Sequence, residues 1–132
     1  LCGRCVACIE ACPTDAIREP FVVDAQRCLA FHTIENRDPD LPDGIKTSLG
    51  PWIAGCDICQ DVCPWNHRDL PSSQDPDMQP RPWLLNVNAK DLQNWDDATW
   101  DQQLRGSALR RIKPWMWRRN AAAAQPELPP NL

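Results

Sequence analysis

A small α+β domain followed by a short all-α tail is the fold class that the sequence predicts, and three observations predict it. All eight cysteines of the 132-residue chain lie between positions 2 and 63, fourteen prolines cut the chain into short elements, and a helical texture begins only near Ala89. The charge divides as well. Residues 1–80 hold six Lys/Arg against thirteen Asp/Glu, and residues 81–132 hold eight against five, so the net charge of −4 joins an acidic front to a basic rear. No run approaches the roughly 18 apolar residues of a membrane span, and no charged-apolar-small leader opens the chain, so no membrane partner is expected. The chain starts at Leu1, not at a methionine, with a ligand-like cysteine already at Cys2, and is therefore expected to be the C-terminal piece of a longer protein.

The elements follow in order. Residues 1–68 form the cysteine domain. Within it Ala16-Ile17-Arg18 and Phe21-Val22-Val23 flank a Glu19-Pro20 turn and predict a short hairpin packed over a buried cofactor. Residues 36–51 are rich in Pro, Gly and Asp, which predicts a loop holding a helical turn. Residues 69–88, with Leu70-Pro71-Ser72-Ser73 and Pro80-Arg81-Pro82, are expected to be a proline-rich linker. Residues 89–132 form the helical, basic segment. Asp96 predicts the N-cap of a helix running to about Leu104 with Gly106 just past its end, and Ser107 caps a second, short helix that Pro114 ends or restarts. Asn120 to Gln125 continue the last helix until Pro126, Pro129 and Pro130 stop it. Between Ser107 and Arg119, Ala108, Leu109, Ile112, Trp115 and Met116 recur at helical spacing and predict one buried face.

The cysteines carry the chemistry. Cys2, Cys5, Cys8 and Cys12-Pro13 have the full spacing of the bacterial iron–sulfur run, in which three close thiolates wrap one cubane and the fourth points to another. The second run, Cys56, Cys59 and Cys63-Pro64, lacks its leading cysteine, and Ile53 stands in that position. If a pseudo-twofold relates the runs, Cys2, Cys5, Cys8 and Cys63 hold one [4Fe-4S] cluster, while Cys56, Cys59 and Cys12 hold three corners of a second. The remaining cysteine, Cys28, completes it. A disulfide framework fits poorly with close neighbours, Cys-Pro endings and the lack of a secretory signal. Zinc prefers paired Cys-x2-Cys knuckles. His32 and His67 are read as loop or surface residues. A bacterial ferredoxin-like domain for two clusters is the result, and two close clusters make a path for single electrons.

Three blocks then point to a family. Cys2-Gly3-Arg4-Cys5-Val6-Ala7-Cys8 through Ala16-Ile17, the isolated Asp24-Ala25-Gln26-Arg27-Cys28-Leu29 with Thr33-Ile34-Glu35 following, and Gly55-Cys56-Asp57-Ile58-Cys59-Gln60-Asp61-Val62-Cys63-Pro64-Trp65-Asn66 resemble the cluster domain of epoxyqueuosine reductases. Arg105-Gly106-Ser107-Ala108-Leu109-Arg110-Arg111 and Arg118-Arg119-Asn120-Ala121 resemble the start of that family's HEAT-like helices. The resemblance implies a cytoplasmic, monomeric oxidoreductase that reduces epoxyqueuosine to queuosine at the tRNA wobble position. It also implies a cobalamin bound mainly by an upstream domain, an external electron donor, the tRNA anticodon arm as partner, and no catalytic residue within this chain. A stand-alone two-cluster ferredoxin and the cluster domain of a reductive dehalogenase are the alternatives; the Trp65-Asn66 ending, Cys28 and the basic tail speak against the second.

The remaining residues are weighed on their own. Arg110, Arg111, Lys113, Arg118 and Arg119 form a basic face expected to meet tRNA phosphates, against the plainer reading of a solvated helix surface. Trp95, Trp100, Trp115 and Trp117 are read as core and not as base-stacking platforms. Trp65 is expected to shield a cluster from water, and Thr14 and Asp15 to shape a turn. Asp57, Asp61 and Glu35 are given no catalytic role.

Overall fold

The computed structural model describes residues 2–67 and 71–127. The expected boundary at 68/69, Leu70, the stops at Pro129 and Pro130, and the chain end lie outside the described residues. The front of the chain is a series of short elements: α1 (Ala7–Glu10), β1 (Ile17–Glu19), β2 (Val22–Val23), a 3-10 turn (Ala25–Arg27), α2 (Leu29–Ile34), α3 (Asp43–Ser48) and α4 (Ile58–Asp61). The predicted hairpin is present and antiparallel, pairing Ile17 with Val23 and Glu19 with Val22, with an irregularity between Ile17 and Glu19. Its turn is strained. Phe21 takes φ 69 and is 94% exposed, a left-handed backbone that costs a non-glycine residue free energy.

The rear consists of 3-10 turns at Pro76–Met78 and Pro82–Leu85, then α5 (Ala89–Gln93), α6 (Asp97–Leu104), a 3-10 turn (Ala108–Arg111) and α7 (Pro114–Ala123). The caps follow the sequence. Asp96 accepts from the Thr99 amide, Ser107 from the Leu109 amide, and Asn88 forms a reciprocal capping box with Asp91. Gly106 leaves α6 at φ 73. The single apolar face expected over Ser107–Arg119 is divided between two elements. Pro114 has no amide to donate and occupies the first turn of α7, which forces Lys113 into an extended φ −71, ψ 158 and breaks the helical run. Ile112 and Met116 are fully buried, whereas Trp115 is 37% exposed. Helix α7 also ends earlier than expected, at Ala123, and the Gln125 amide returns to the Gly50 carbonyl at 2.8 Å.

The core joins the two halves. Leu92, Trp100, Leu104, Ile112, Met116 and Trp117 pack together, and Ile34, Ile53 and Ala54 of the cysteine domain pack against them. A second cluster of Leu29, Leu41, Ile45 and Leu49 takes in Trp52 together with Ala123 and Ala124 beyond it. The expected linker is therefore only partly a linker. Trp83 and Val87 pack on the first cluster and Arg81 donates to the Gln103 and Arg105 carbonyls at 2.9 and 3.0 Å, so the tail's packed unit begins near residue 81 and not at 89. His32 corrects the surface reading: it lies inside α2 at 2% exposure, with its ring against the Gln26 carbonyl and the Asn36 amide.

This distribution of burial predicts a contrast. Leu104→Ala, at a fully buried position, is expected to cost about 2–5 kcal/mol, and Leu85→Ala on the surface within about 0.5 kcal/mol of nothing, as read by denaturant unfolding.

Candidate iron–sulfur centre

The two cysteine runs adopt one conformation twice. Val6 before α1 has φ −124, ψ 11 and Asp57 before α4 has φ −109, ψ 10; after the helices, Ala11 has φ −82, ψ −7 and Val62 φ −83, ψ −5. The hydrogen bonds repeat too. The Cys12 amide donates to Ile9 and the Cys63 amide to Gln60, while Asp15 closes a turn on the Cys12 carbonyl as Asn66 does on that of Cys63. Helix α1 packs directly against α4. Each run therefore sends its early cysteines to one side of this contact and its last cysteine to the other.

Two cavities result. One, of about 220 Å³, is lined by Cys2, Cys5, Cys8 and Cys63, with Ala7, Pro64 and Trp65. The other, of about 200 Å³, is lined by Cys12, Cys28, Cys56 and Cys59 with an apolar wall that includes Ile17, Val23, Leu29 and Ile58. Each volume is many times the roughly 10–15 Å³ that a single water requires. Among the described residues, no three or more His, Cys, Asp or Glu side chains converge on a point where one metal ion could sit. All eight sulfurs are free thiols. Soft sulfur donors set apart around a space this large suit a polynuclear cluster and not a lone ion.

Local structure explains how Cys28 reaches the second cavity. Asp24 caps the 3-10 turn by accepting from the Gln26 amide, and the turn delivers Cys28 to the N-cap position of α2. Opposite it, Gly55 sits at φ 88 just before Cys56, and its amide donates to the Thr33 hydroxyl at 3.1 Å. A side chain at that φ would be strained. Thr14 and Asp15 shape the expected turn, with Asp15 at φ 50 and the Thr14 carbonyl accepting from Arg27 Nε at 2.8 Å.

In the second cavity two thiols are raised by burial. Burial, reinforced by the nearby Cys59, Cys28 and Cys12, pushes the Cys56 thiol up to about 11, and burial likewise raises Cys59. Cys12 is the exception. Burial raises it, but hydrogen bonds with Thr14 and from the amides of Ala16 and Ile17 outweigh that and leave it lowered. The Ala16 amide lies 3.2 Å from its Sγ. In the first cavity Cys2 and Cys5 are exposed, and Trp65, 39% exposed, forms part of the wall.

The five basic tail residues do not form one open face. Arg110 pairs with Asp101 at 2.7 Å and lies 4.5 Å over the Trp100 ring; Arg118 pairs with Asp97 at 3.1 Å and donates to the Trp95 carbonyl. Arg111 is bonded to Glu35 of the cysteine domain. Arg119 is turned inward, where it donates to the His32 carbonyl at 2.8 Å and the Asn36 carbonyl at 3.0 Å, and burial lowers its affinity for its proton. Only Lys113, exposed before α7, has no carboxylate or carbonyl partner among the described residues. Of the tryptophans expected in the core, Trp100 and Trp117 are buried, Trp95 packs at the edge against Trp83 and Trp117, and Trp115 stays partly exposed. The sequence carries Thr33 and Asn120 in the blocks that resemble the family but gives neither a role, and both are fully buried. For Asn120 the signal was polarity on the otherwise apolar face of α7.

Two four-thiol cavities that share a pair of single-turn helices define an iron–sulfur protein built for two cubanes. Residues 1–66 match the 4Fe-4S double cluster binding domain, and the chain belongs to that family, with two [4Fe-4S] clusters as its cofactors. It is similar to the epoxyqueuosine reductase of Synechococcus sp. (strain CC9605), with 76% identity over all of this chain and 41% of that protein. It is similar also to that of Aliivibrio fischeri (strain ATCC 700601 / ES114), with 43% identity over 97% of this chain and 34% of that protein. The chain thus spans about two fifths or less of the curated relatives it matches. Among solved structures, an epoxyqueuosine reductase from Bacillus subtilis matches with TM-score 0.84 and 32% identity over 93% of this chain and 32% of its own. An epoxyqueuosine reductase crystallised with an epoxyqueuosine-modified tRNA-Tyr stem loop matches with TM-score 0.78, 32% identity and the same coverage. No helix among the described residues is long and apolar enough to cross a membrane.

The Glu35–Arg111 pair links the two halves and gives a pH prediction. The hydrogen bond from Arg111 holds the Glu35 carboxyl below its ordinary 4.5. The stabilisation is present in full above 4.5 and is lost as pH falls through the lowered native value. Glu35→Gln is expected to remove this part of the acid sensitivity by losing the stabilisation above 4.5, so that the variant melts slightly lower than the unaltered protein at pH 6–7 and the two converge near pH 3, as checked by thermal melts across pH 3–7.

Proposed function

We propose that this chain is the electron-transfer part of an enzyme that reduces epoxyqueuosine to queuosine at the tRNA wobble position. The observation that carries the reading is the pair of four-thiol cavities built on α1 and α4, in a chain 76% identical to an epoxyqueuosine reductase over its whole length. Cys2, Cys5, Cys8 and Cys63 are the proposed ligands of one cluster, and Cys12, Cys28, Cys56 and Cys59 of the other. The front is a bacterial ferredoxin-like domain, 1–68, and the tail is the start of HEAT-like repeats.

A bound cubane supplies reversible one-electron storage. The chain's own residues do the rest. The amides of Ala16 and Ile17 and the Thr14 hydroxyl direct hydrogen bonds at the Cys12 sulfur, which is how a protein tunes a cluster's potential. Ile17, Val23, Leu29 and Ile58 give the second cavity an apolar wall, and Trp65 forms part of the wall of the first. The two cavities meet across the contact of α1 with α4, and epoxide reduction takes electrons in pairs, so two one-electron sites side by side match its demand. Cobalamin and the catalytic acid belong to the part of the parent enzyme outside this chain, and an external donor supplies the electrons. The site is cytoplasmic and the protein monomeric in this reading.

The tRNA anticodon arm is the proposed partner of the basic tail. Lys113 is the contact that the local geometry favours, with Arg110, Arg111 and Arg118 adding charge through guanidinium faces not used in their ion pairs. Arg119, occupied by carbonyls of the cysteine domain, is the weakest of the five as a phosphate contact. A stand-alone ferredoxin and a dehalogenase cluster domain are not favoured, because the relatives are epoxyqueuosine reductases.

Two measurements test the reading. Anaerobically purified protein is expected to hold about eight irons per chain, and Cys28→Ala about four, with one cluster lost or degraded to a three-iron species; an unchanged iron content in the variant refutes the ligand assignment. In the complete parent enzyme, tRNA affinity is expected to fall steeply with salt, and Lys113→Ala to lower the slope of log affinity against log salt by about one contact. A salt-independent affinity, or none at low salt, removes the tRNA role from the tail.

A further inference from the structure

Asn120 is fully buried, a polar side chain on the face of α7 that also carries Met116, Trp117 and Ala121. Its amide nitrogen donates to two carbonyls of the cysteine domain, Thr33 at 2.8 Å and Ile53 at 2.9 Å. Its oxygen accepts from Nε and Nη2 of Arg119 at 3.0 and 2.9 Å, and that guanidinium also holds the carbonyls of His32, Asn36 and Asp38. His32 and Thr33 lie in the last turn of α2, where the amides of Glu35 and Asn36 both turn back to Phe31. Carbonyls at a helix end have no partner within the helix, and buried ones must find another. Here the partner comes from a helix more than eighty residues further along the chain, since each of the bonds from Arg119 to His32 and from Asn120 to Thr33 spans 87 positions.

The far ends of the gripped segments give this its consequence. Helix α2 begins at Cys28, and Ile53 stands three positions before Cys56. Thr33 ties the same two segments a second time by accepting from the Gly55 amide and donating to the Leu29 carbonyl. Cys28 and Cys56 both line the second cavity, together with Leu29, whose carbonyl accepts from the Thr33 hydroxyl.

We propose that Asn120, braced by Arg119, is a positioning residue for the cluster in the cavity of Cys12, Cys28, Cys56 and Cys59, setting the spacing of the Cys28 and Cys56 thiols from the far end of the chain. The tail is in this sense a structural part of the second cluster site. The proposal rests on the reading that this cavity holds a cluster, and the experiment separates the two.

The whole chain is purified anaerobically in four forms: unaltered, Asn120→Leu, Asn120→Asp and Leu104→Ala. Asn120→Leu keeps the branched shape and the heavy-atom count but is bulkier, and it loses both donated bonds and the acceptor for Arg119. Asn120→Asp keeps the acceptor for Arg119, loses the same two bonds, and is read in place of the leucine variant if that one fails to accumulate. Leu104→Ala loosens the tail core without touching the Asn120 bonds. Iron and acid-labile sulfide are counted per chain, and EPR spectra are recorded after dithionite reduction. About eight irons with magnetically interacting clusters are expected for the unaltered and Leu104→Ala proteins. About four irons and a single isolated cluster signal are expected for the Asn120 variants. Eight irons with unchanged interacting signals in an Asn120 variant overturn the proposal, as does equal cluster loss in Leu104→Ala, which would mark general loosening as the cause. An unaltered chain without a second cluster overturns the two-cluster reading itself, and the proposal with it.

Discussion

Each of two single-turn helices has to serve two cavities at once, and the rest of the molecule is arranged around that constraint. Helix α1 carries Cys8 toward one cavity and passes Cys12 to the other, while α4 does the reverse with Cys59 and Cys63. Helices of four residues have no stability of their own, because nucleation costs more than one turn returns. They persist only when fixed from outside. The matching backbone angles on both sides of α1 and α4 show how narrowly each run is set, and the hairpin, α2 and the Pro13 and Pro64 turns are what surround them.

The broken symmetry between the runs accounts for the next layer. Where a leading cysteine is expected there is Ile53, which packs into the tail's core and offers its carbonyl to Asn120. The missing thiol is supplied by Cys28, and bringing it in requires a capped 3-10 turn, a buried helix and a buried His32 that holds the Gln26 carbonyl. Replacing one ligand has thus coupled the cysteine domain to the tail. A symmetric arrangement could close upon itself; this one has an α2 whose His32 and Thr33 carbonyls are met by α7.

What could be read in the sequence, and what could not, divides along the same line. The thiol spacing, the hairpin around Glu19-Pro20, the caps Asp96 and Ser107 and the restart at Pro114 are local signals, each contained within a few residues, and the structure has all of them. The errors are long-range. A proline-rich composition marks residues 69–88 as a linker, yet Arg81 is held by carbonyls 22 and 24 positions on and Trp83 packs on Trp95. Five basic residues in a helical segment look like an open face, yet four of them are taken up by Glu35, Asp97, Asp101 and the carbonyls around Asn36, which lie outside that segment. His32 looks like a loop residue because nothing near it in sequence announces a buried helix.

The same division explains where electrostatics matter. The ion pairs of Arg105, Arg110, Arg111 and Arg118 lie at the surface, where solvent screening leaves each worth little, so they set local geometry more than stability. The second cavity is the opposite case. Four sulfurs share an apolar enclosure, and burial favours the neutral thiol of Cys56 and Cys59 over the thiolate that a metal requires. Loading such a site must release protons and exchange their charge for that of a metal core, so assembly of the cofactor and ordering of the site are one thermodynamic event. A cavity of that kind cannot depend on its own side chains for shape before it is filled. It needs a frame that is stable without the cofactor, and the buried bonds from α7 to the segments bearing Cys28 and Cys56 are the part of this structure that meets the need.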